Sequence, residues 1–134
     1  MADGQVEFEL VTAEQLLLSK AVDMVVVPGV EGDFGVLPRH APMISTIRPG
    51  VVKVYENGSV TDSVFIGGGF AEVTPERCTV LADEAVAVEE IDRSRAERRL
   101  SDARDDAADA KTDAERKAAE REIVVAEAML RVSG

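Results

Sequence analysis

The sequence contains few of the residues on which catalytic and metal sites depend. It has one cysteine, one histidine, no tryptophan and only 4% aromatic residues in a chain of 134. One cysteine cannot form an internal disulfide, which favours a reducing cytoplasm. The one histidine, His40, has no cysteine or second histidine to share a zinc ion, and the sequence marks out no nucleophile for it to activate. These shortages argue against a metalloenzyme and against a hydrolase.

Long apolar runs and an excess of positive charge are also missing. No run approaches the ~20 apolar residues of a membrane-spanning helix, and the first residues, Met1–Gly4, do not resemble a signal peptide. The chain carries 15 basic and 26 acidic side chains, which gives a net charge of −11. This charge repels phosphate backbones and anionic lipid. We therefore expect no nucleic acid partner, and membrane association only through other proteins.

Glycine and proline are absent from residues 91–132, although both occur repeatedly before them. The charge pattern changes at the same place: residues 1–90 hold 15 acidic and 5 basic side chains, whereas residues 91–134 hold 11 and 10. A densely charged but nearly neutral segment is typical of solvated helices. The sequence thus predicts an N-terminal β domain over residues 1–88 and a helical segment over residues 89–134.

Short apolar runs between turn residues predict that the first domain is built from strands. The firmest local signal is Asn57-Gly58, because these residues accept the positive φ angles of a type I′ hairpin turn. The predicted strands are residues 6–11, 16–18, 22–27, 51–56, 59–66, 70–73 and 77–82, with Pro28-Gly29 ending the third and a turn at Thr74–Glu76. Because no helix lies among these strands, their sheets must cover each other as a sandwich or a flattened barrel.

Two alanine-rich stripes predict an antiparallel pair of helices after residue 90. Thr112 and Glu115 form a capping-box pair, so the second helix is expected to start near Asp113 after a turn at residues 110–112. Small side chains bury little apolar area, so this hairpin should be marginal alone and able to change its docking. The stripes consist of Ala96, Leu100, Ala103, Ala107 and Ala110 in the first helix and of Ala119, Ile123, Ala126 and Leu130 in the second.

Neither glycine cluster has the spacing of a nucleotide-binding loop. Residues 29–35 follow a strand, but their G-x-x-G-x-x-G pattern leads into Val36-Leu37-Pro38 rather than into a helix. Gly67–Gly69 lacks the lysine and the serine or threonine of a phosphate loop. We interpret both clusters as tight connections between strands, and Cys78, which lies in a strand-like run, as a buried structural thiol.

Residues 28–42 read Pro-Gly-Val-Glu-Gly-Asp-Phe-Gly-Val-Leu-Pro-Arg-His-Ala-Pro, and this segment resembles the signature loop of the epsilon subunit of F-type ATP synthases. Further matches follow the family's order along the chain. They lie at residues 8–15, 47–50, 67–73, 79–83 and 91–96. The resemblance implies a β-sandwich of about ten strands followed by a C-terminal antiparallel α-helical hairpin.

The resemblance also implies a non-catalytic role in the central stalk of a proton-driven ATP synthase. Such a subunit binds gamma and the c-subunit ring and turns with them, so that rotation reaches the catalytic head. It would lie at the cytoplasmic face of a bacterial inner membrane, or in a mitochondrion if the chain is a processed homologue. A rival function stays open, in which the hairpin senses ATP or inhibits ATP hydrolysis through the alpha/beta head.

The candidate interface residues follow from the same resemblance. The ring-facing loop of the family maps onto residues 31–33, with Asp33 at the acidic contact to the c-ring loops, where its charge suits a basic partner. The gamma-facing position maps onto His40, on a proline-flanked rim that loses little entropy on docking. Alternatively, Asp33 and His40 are ordinary exposed loop residues. The full set is Glu31, Asp33, His40, Pro42, Met43 and Ser45.

Some bacterial members of the family bind ATP through an Ile-Asp-x-x-Arg-Ala motif, which is also present in this sequence. The candidate ATP-binding residues implied are Asp83, Ile91, Asp92, Arg95 and Ala96. Those members also use two arginines late in the second helix. This chain has Val125–Met129 there, without a cation, so the negative charge of the triphosphate would be poorly neutralised. The alternative, which we favour, is that Asp92 is the N-cap of the first helix and Arg95 lies on its exposed face.

The end of the chain bears on inhibition. Family members that inhibit ATP hydrolysis extend the second helix and insert its tip into the catalytic head. Here the matching segment is followed only by Arg131–Gly134. We therefore expect weak or absent inhibition by extension of the hairpin.

Overall fold

The computed structural model describes residues 4–133, which form two compact units that divide between Ala87 and Val88. The first unit consists of strands and the second of helices. The strands are β1 Val6–Val11, β2 Leu16–Val22, β3 Met24–Gly29, β4 Gly32–Val36, β5 Met43–Ile47, β6 Gly50–Glu56, β7 Ser59–Ile66, β8 Gly69–Val73, β9 Arg77–Ala82 and β10 Ala85–Ala87. A single 3-10 turn, Val88–Glu90, precedes the helices α1 Arg93–Asp109 and α2 Asp113–Val132.

All ten strands belong to one hydrogen-bonded sheet, in the order β10-β7-β6-β3-β5-β8-β9-β1-β2, with β4 paired to β3 beside this path. The pairs are antiparallel except for β1 and β9, which run parallel. The two ends of this strand order come close together, because β2 at one end contacts β6 near the other. The predicted sandwich of about ten strands is therefore confirmed.

Period-two alternation places the core on one face of the strands. In β1, Val6, Phe8 and Leu10 are buried, whereas the residues between them are half-exposed. The same alternation in β8 and β9 buries the side chains at every second position, as expected for strands with one face toward a core. Cys78 belongs to this core, and burial raises its pKa to about 12, so the predicted structural thiol is confirmed.

The Asn57-Gly58 turn is confirmed by its backbone angles. Asn57 has φ +55° and Gly58 has φ +80°, and the flanking residues Glu56 and Ser59 pair across the hairpin. Positive φ at both central residues is what a type I′ turn requires. The predicted turn at Thr74–Glu76 is also present, because the backbone N–H of Thr74 donates to the Arg77 carbonyl at 2.8 Å.

The largest differences from the sequence prediction are in β2, which runs to Val22 rather than ending at residue 18, and in β3. The apolar run at residues 22–27 is divided at Asp23, whose N–H donates to the Tyr55 carbonyl (3.0 Å) and whose carboxylate accepts from the Asn57 N–H (2.7 Å). These bonds mark where the backbone leaves its pairing with β1 and begins to pair with β6. The predicted stop at Pro28-Gly29 is wrong, because β3 continues to Gly29 and pairs there with Gly32 of β4.

Three strands went unassigned by periodicity: β4, β5 and β10. β4 contains two glycines among five residues, β5 contains Ser45 and Thr46, and β10 is only three residues long. β4 and β5 have no apolar run, and the apolar run of β10 is very short; β4 is held as a strand by its hairpin pairing with β3, and β5 and β10 by pairing with the more distant β8 and β7. Tertiary pairing therefore overrides weak local propensity in this part of the sheet.

The helix boundaries follow the capping signals. The Asp92 side chain accepts from the Arg95 N–H at 3.2 Å and caps α1, and Thr112 accepts from the Glu115 N–H at 3.1 Å and caps α2. The predicted start near Asp113 and the turn at residues 110–112 are confirmed.

The seam between the helices is thin, as predicted. In α1, Ala96, Leu100 and Ala103 are buried, whereas Ala107 and Ala110 are half-buried. In α2, Ala119 and Ala126 are buried, and Ile123 and Leu130 are half-buried. Burial in the second half of α2 is wider than the stripe predicted, since it also includes Val125, Ala128 and Met129.

Gly69 is the glycine whose replacement should cost most. A Cβ there would lie 2.0 Å from the Leu81 carbonyl oxygen at φ +142°, so Gly69→Ala should lower the free energy of unfolding by more than about 3 kcal/mol. Gly58→Ala meets open space at φ +80° and should cost about 1 kcal/mol. Gly4→Ala, with open space and no positive φ, is the control. Urea unfolding followed by circular dichroism measures all three, and equal losses at Gly69 and Gly58 would contradict the steric argument.

Lys20 of β2 forms ion pairs with two carboxylates, one on β6 and one on β7, which lie near the other end of the strand order. Its Nζ lies 2.7 Å from Asp62 Oδ2 and 2.8 Å from Glu56 Oε2. Hydrogen bonds to Asp62 and Glu56 raise the pKa of Lys20, and the bonds from Lys20 and Thr61 lower the pKa of Glu56. The raised pKa stabilises the fold below pH 10.5, and this contribution is lost at higher pH. The lowered pKa stabilises it above pH 4.5, and this contribution is lost at lower pH.

We therefore expect Lys20→Met to lower the unfolding midpoint most between these two pH values. The difference from the unmodified protein should shrink below pH 4.5, where Glu56 becomes protonated, and above pH 10.5, where Lys20 loses its charge. Lys53→Met removes an exposed lysine from β6 and serves as control. A Lys20→Met effect as large well below pH 4.5 and well above pH 10.5 as between them would show that the ion pairs contribute nothing.

Candidate functional site

The residues matched to the ring-facing loop lie in the hairpin that joins β3 to β4. Val30 and Glu31 form its tip, and Glu31 is exposed. Close packing requires glycine on both sides of the tip. A Cβ on Gly29 would lie 2.8 Å from the Gly32 carbonyl oxygen, and Gly32 has φ +134°. The hairpin is therefore tight, and it presents Val30 and Glu31 to solvent.

Asp33 forms an ion pair that sequence reasoning missed. It lies on β4, and its Oδ1 accepts from Arg48 Nη2 at 2.6 Å. Arg48 also donates from Nη1 to the Gly29 carbonyl at 2.5 Å and from its backbone N–H to the Pro28 carbonyl at 2.9 Å. The charge of Asp33 is thus balanced within the molecule, whereas Glu31 has no ion pair among the described residues. The sequence does draw attention to Arg48, because it belongs to one of the motifs that carry the resemblance.

His40 lies in a turn that is tied to the β8–β9 connection. Its N–H donates to the Leu37 carbonyl at 3.2 Å, and the preceding Arg39, at φ +65°, donates to the Pro75 carbonyl at 2.9 Å. His40 Nδ1 lies 2.7 Å from the Ala41 carbonyl oxygen. A carbonyl can only accept, so Nδ1 carries a proton in this contact. The ring is therefore oriented by the backbone.

Alternate residues of β5 face opposite sides of the sheet. The candidates Met43 and Ser45 therefore lie on the other face from Ile44, the most exposed residue of this strand. Met43 packs against the core and Ser45 is half-buried, with its Oγ donating to the Thr46 carbonyl at 3.1 Å. Ile44, between them, is 74% exposed. Pro42 is exposed just before the strand. The structure thus places Ile44, which the sequence did not single out, on the outer face.

Ile44 belongs to a larger apolar surface that crosses five strands. On the outer face, strand register aligns Thr46 of β5 with Phe70, then Leu81, then Val11 and then Leu16. Of these, Phe70 is 55% exposed, Leu81 49% and Leu16 57%. The outer apolar patch is defined here as Val11, Leu16, Ile44, Phe70 and Leu81.

Acidic residues line the patch along the next row of the sheet. Ile44 is aligned with Glu72, which is aligned with Thr79, and Thr79 with Glu9. Glu72 is exposed, and Glu9 accepts a 2.6 Å bond from Arg77. The surface is therefore an apolar strip with acid along one edge.

One open groove brings the two groups of candidates together. Its walls come from the β3–β4 hairpin on one side and from β5 on the other, and the Val30 N–H bonds the Thr46 carbonyl at 3.1 Å between them. The candidates Glu31, Asp33, Met43 and Ser45 line it, together with Ile44. Two residues from each group of candidates thus line one groove, whereas His40 and Pro42 are not part of its lining.

The candidate ATP-binding residues are divided between the two units. Asp83 belongs to the first, and Ile91, Asp92, Arg95 and Ala96 belong to the second. The Asp92 carboxylate is occupied as the helix cap, and Ala96 is 1% exposed, whereas Arg95 is exposed. The capping role expected for Asp92 is confirmed. ATP binding by this set stays a prediction.

Among residues 4–133, no three histidine, cysteine, aspartate or glutamate side chains are arranged to hold a metal ion. Neither of the described helices is long and apolar enough to cross a membrane.

Comparison with known proteins covers both units. Residues 5–88 match the family described as ATP synthase, Delta/Epsilon chain, beta-sandwich domain, and residues 92–134 match the family of the C-terminal domain of the ATP synthase epsilon chain. The protein is 54% identical over 125 residues to the ATP synthase epsilon chain of Paramagnetospirillum magneticum, which covers 93% of this sequence and 94% of that one. It is 51% identical over 124 residues to the epsilon chain of Rhodospirillum rubrum, with 92% of each covered.

Solved structures show the same fold. A subunit in the cryo-EM structure of the Euglena gracilis mitochondrial ATP synthase, containing OSCP, F1 and c-ring, superposes with a TM-score of 0.78 at 27% identity, covering 94% of this chain and 79% of that one. A subunit in the central stalk and c-ring of the Tetrahymena thermophila enzyme superposes with a TM-score of 0.65 at 14% identity, with 96% of each covered. The matches span both units, and this chain therefore belongs to the family of ATP synthase epsilon chains.

Proposed function

We propose that the protein is a non-catalytic central-stalk subunit of a proton-translocating F-type ATP synthase. It binds gamma and the c-subunit ring, and so couples ring rotation to ATP synthesis in the alpha/beta head. The observation that carries the proposal is the outer apolar patch beside the groove that holds the candidate interface residues. The relatives support the same role, since the Euglena subunit belongs to an assembly that includes F1 and a c-ring.

The patch fits a protein partner better than it fits solvent. Single exposed apolar residues are ordinary, but here four, each about half exposed or more, share one face of neighbouring strands. Because a sandwich is held by its core, the patch is a stiff surface that loses little entropy on docking. We assign it to gamma, with His40 and Pro42, which precede β5, extending the contact.

The β3–β4 hairpin supplies the contact to the ring. Its exposed Glu31 carries a negative charge at the tip, and Arg48 fixes the strand behind it. A basic loop on the ring would find an oriented acidic contact here, which favours the correct register over wrong ones. Asp33 acts through its bond with Arg48, because that bond holds the hairpin in place.

The location proposed is the cytoplasmic face of a bacterial inner membrane, with attachment through gamma and the ring. The most similar relatives described above are bacterial, which favours this over a mitochondrial origin.

The gamma contact can be tested in the part of the patch that lies on β5 and β8. We expect Ile44→Glu or Phe70→Glu to weaken binding to gamma by about 100-fold, because each puts a carboxylate into an apolar contact. Val60→Glu changes another exposed apolar strand residue that lies outside the patch, and is the matched control. Isothermal titration with purified gamma measures the affinities, and His40→Glu should show a smaller loss. Equal affinity for all four variants would refute the assignment.

The ring contact can be tested separately. Asp33→Lys places a cation against Arg48 and should reduce ATP-driven proton pumping by the reconstituted enzyme several-fold, while gamma binding changes less than about two-fold. Glu31→Gln removes the charge at the tip and keeps the Arg48 bond, so it should reduce pumping without affecting stability. Glu90→Lys makes the same charge reversal outside the sandwich and is the control. Unchanged pumping in both hairpin variants would exclude this loop from the ring contact.

A further inference from the structure

The charges of α1 are arranged against its own helix dipole. Its first two turns carry Arg93, Arg95, Arg98 and Arg99 against the one acid Glu97, whereas its last two carry Asp105, Asp106 and Asp109 against the one base Arg104. A helix is stabilised by acid at its N-terminus and by base at its C-terminus, so most of these charges are unfavourable, although the Asp92 carboxylate caps the N-terminus. In α2 the order is favourable, with Asp113 and Glu115 in the first turn and Arg131 in the last.

Capping and burial increase the difference between the helices. Both helices end in an extended C-cap residue rather than in a left-handed one, but the Ala110 N–H of α1 reaches the Ala107 carbonyl only at 3.4 Å, whereas the Ser133 N–H of α2 reaches the Met129 carbonyl at 3.1 Å. The buried residues of α1, a helix described throughout, end at Ala103. The last turns of α1 are therefore held neither by a strong cap nor by a buried side chain.

The arginines of α1 find their partners on α2. Arg99 forms a two-pronged bond with Glu122, in which Nη2 lies 3.2 Å from Oε2, and Arg104 lies 3.6 Å from Glu127. Arg93 donates to Ser133 Oγ at 3.1 Å. Arg99 and Arg104 flank the alanine seam on opposite sides. Arg99 comes just before the buried Leu100 and Arg104 just after the buried Ala103, so helix geometry turns the two side chains to opposite sides of the seam.

We propose that α1 keeps its full helical length only while it is paired with α2. When the two helices separate, the Arg99 and Arg104 pairs break, the adverse charge order is left uncompensated, and the turns from Arg104 to Asp109 unfold. α2 remains helical because its own caps and charges support it. Separation of this hairpin is thus a partial unfolding of α1 and not a parting of two rigid helices, whether or not the protein acts in a rotary complex.

Amide hydrogen exchange on the full-length protein tests this directly. In Arg99→Gln/Arg104→Gln, exchange at residues 104–109 should accelerate about ten-fold or more, while exchange at residues 119–129 changes less than about three-fold. Arg98→Gln is the control, because it removes the same charge from an exposed position that has no bond to α2 among the described residues. It should leave both regions within about two-fold of the unmodified protein. Equal acceleration in both helices, or none in either, would overturn the proposal.

A repair variant separates the charge argument from a general loss of packing. Asp109→Lys places a cation in the last turn of α1, where it favours the dipole and can pair with Asp105 one turn earlier. Added to Arg99→Gln/Arg104→Gln, it should return exchange at residues 104–109 to within about three-fold of the unmodified protein. Failure of this rescue would show that the charge order of α1 does not control its unfolding.

Discussion

Alternation of side chains along a single ten-stranded sheet is the constraint from which the outer apolar patch arises. Phe8, Leu10, Val73 and Val80 are fixed in the core, and the strand register then determines which residues face outward. A slip of one residue in β5, β8 or β9 would turn the patch residue of that strand inward and expose core side chains. The burial of the core therefore also holds the outer apolar patch in place.

The β3–β4 hairpin depends on a second, local constraint. Gly29 and Gly32 allow the backbone to reverse tightly, and Arg48 joins both strands of the hairpin through the Gly29 carbonyl and Asp33. One guanidinium serves both bonds because its donors form a planar fork. The hairpin is therefore stiff at its base and charged at its tip, which is the combination that a contact transmitting force requires.

The helical unit is held by different forces. Its seam consists largely of alanine, so ion pairs on the flanks contribute a larger share of its stability than they do in the sandwich. Exposed ion pairs are weak and sensitive to salt, and the charge order of α1 makes that helix depend on them. The protein thus joins a unit held by a large buried core to a unit in which exposed ion pairs carry more of the stability.

The sequence by itself determined the features that depend on neighbouring residues, such as the type I′ turn at Asn57-Gly58, the caps at Asp92 and Thr112 and the switch from strand to helix near residue 88. The resemblance in residues 28–42 added the family and the number of strands. Only the tertiary structure decided the rest. β5 and β10 exist because distant strands pair with them, and the outer apolar patch joins five strands that no window of sequence contains. Such contacts depend on sheet register and packing, which cannot be read from the order of residues alone.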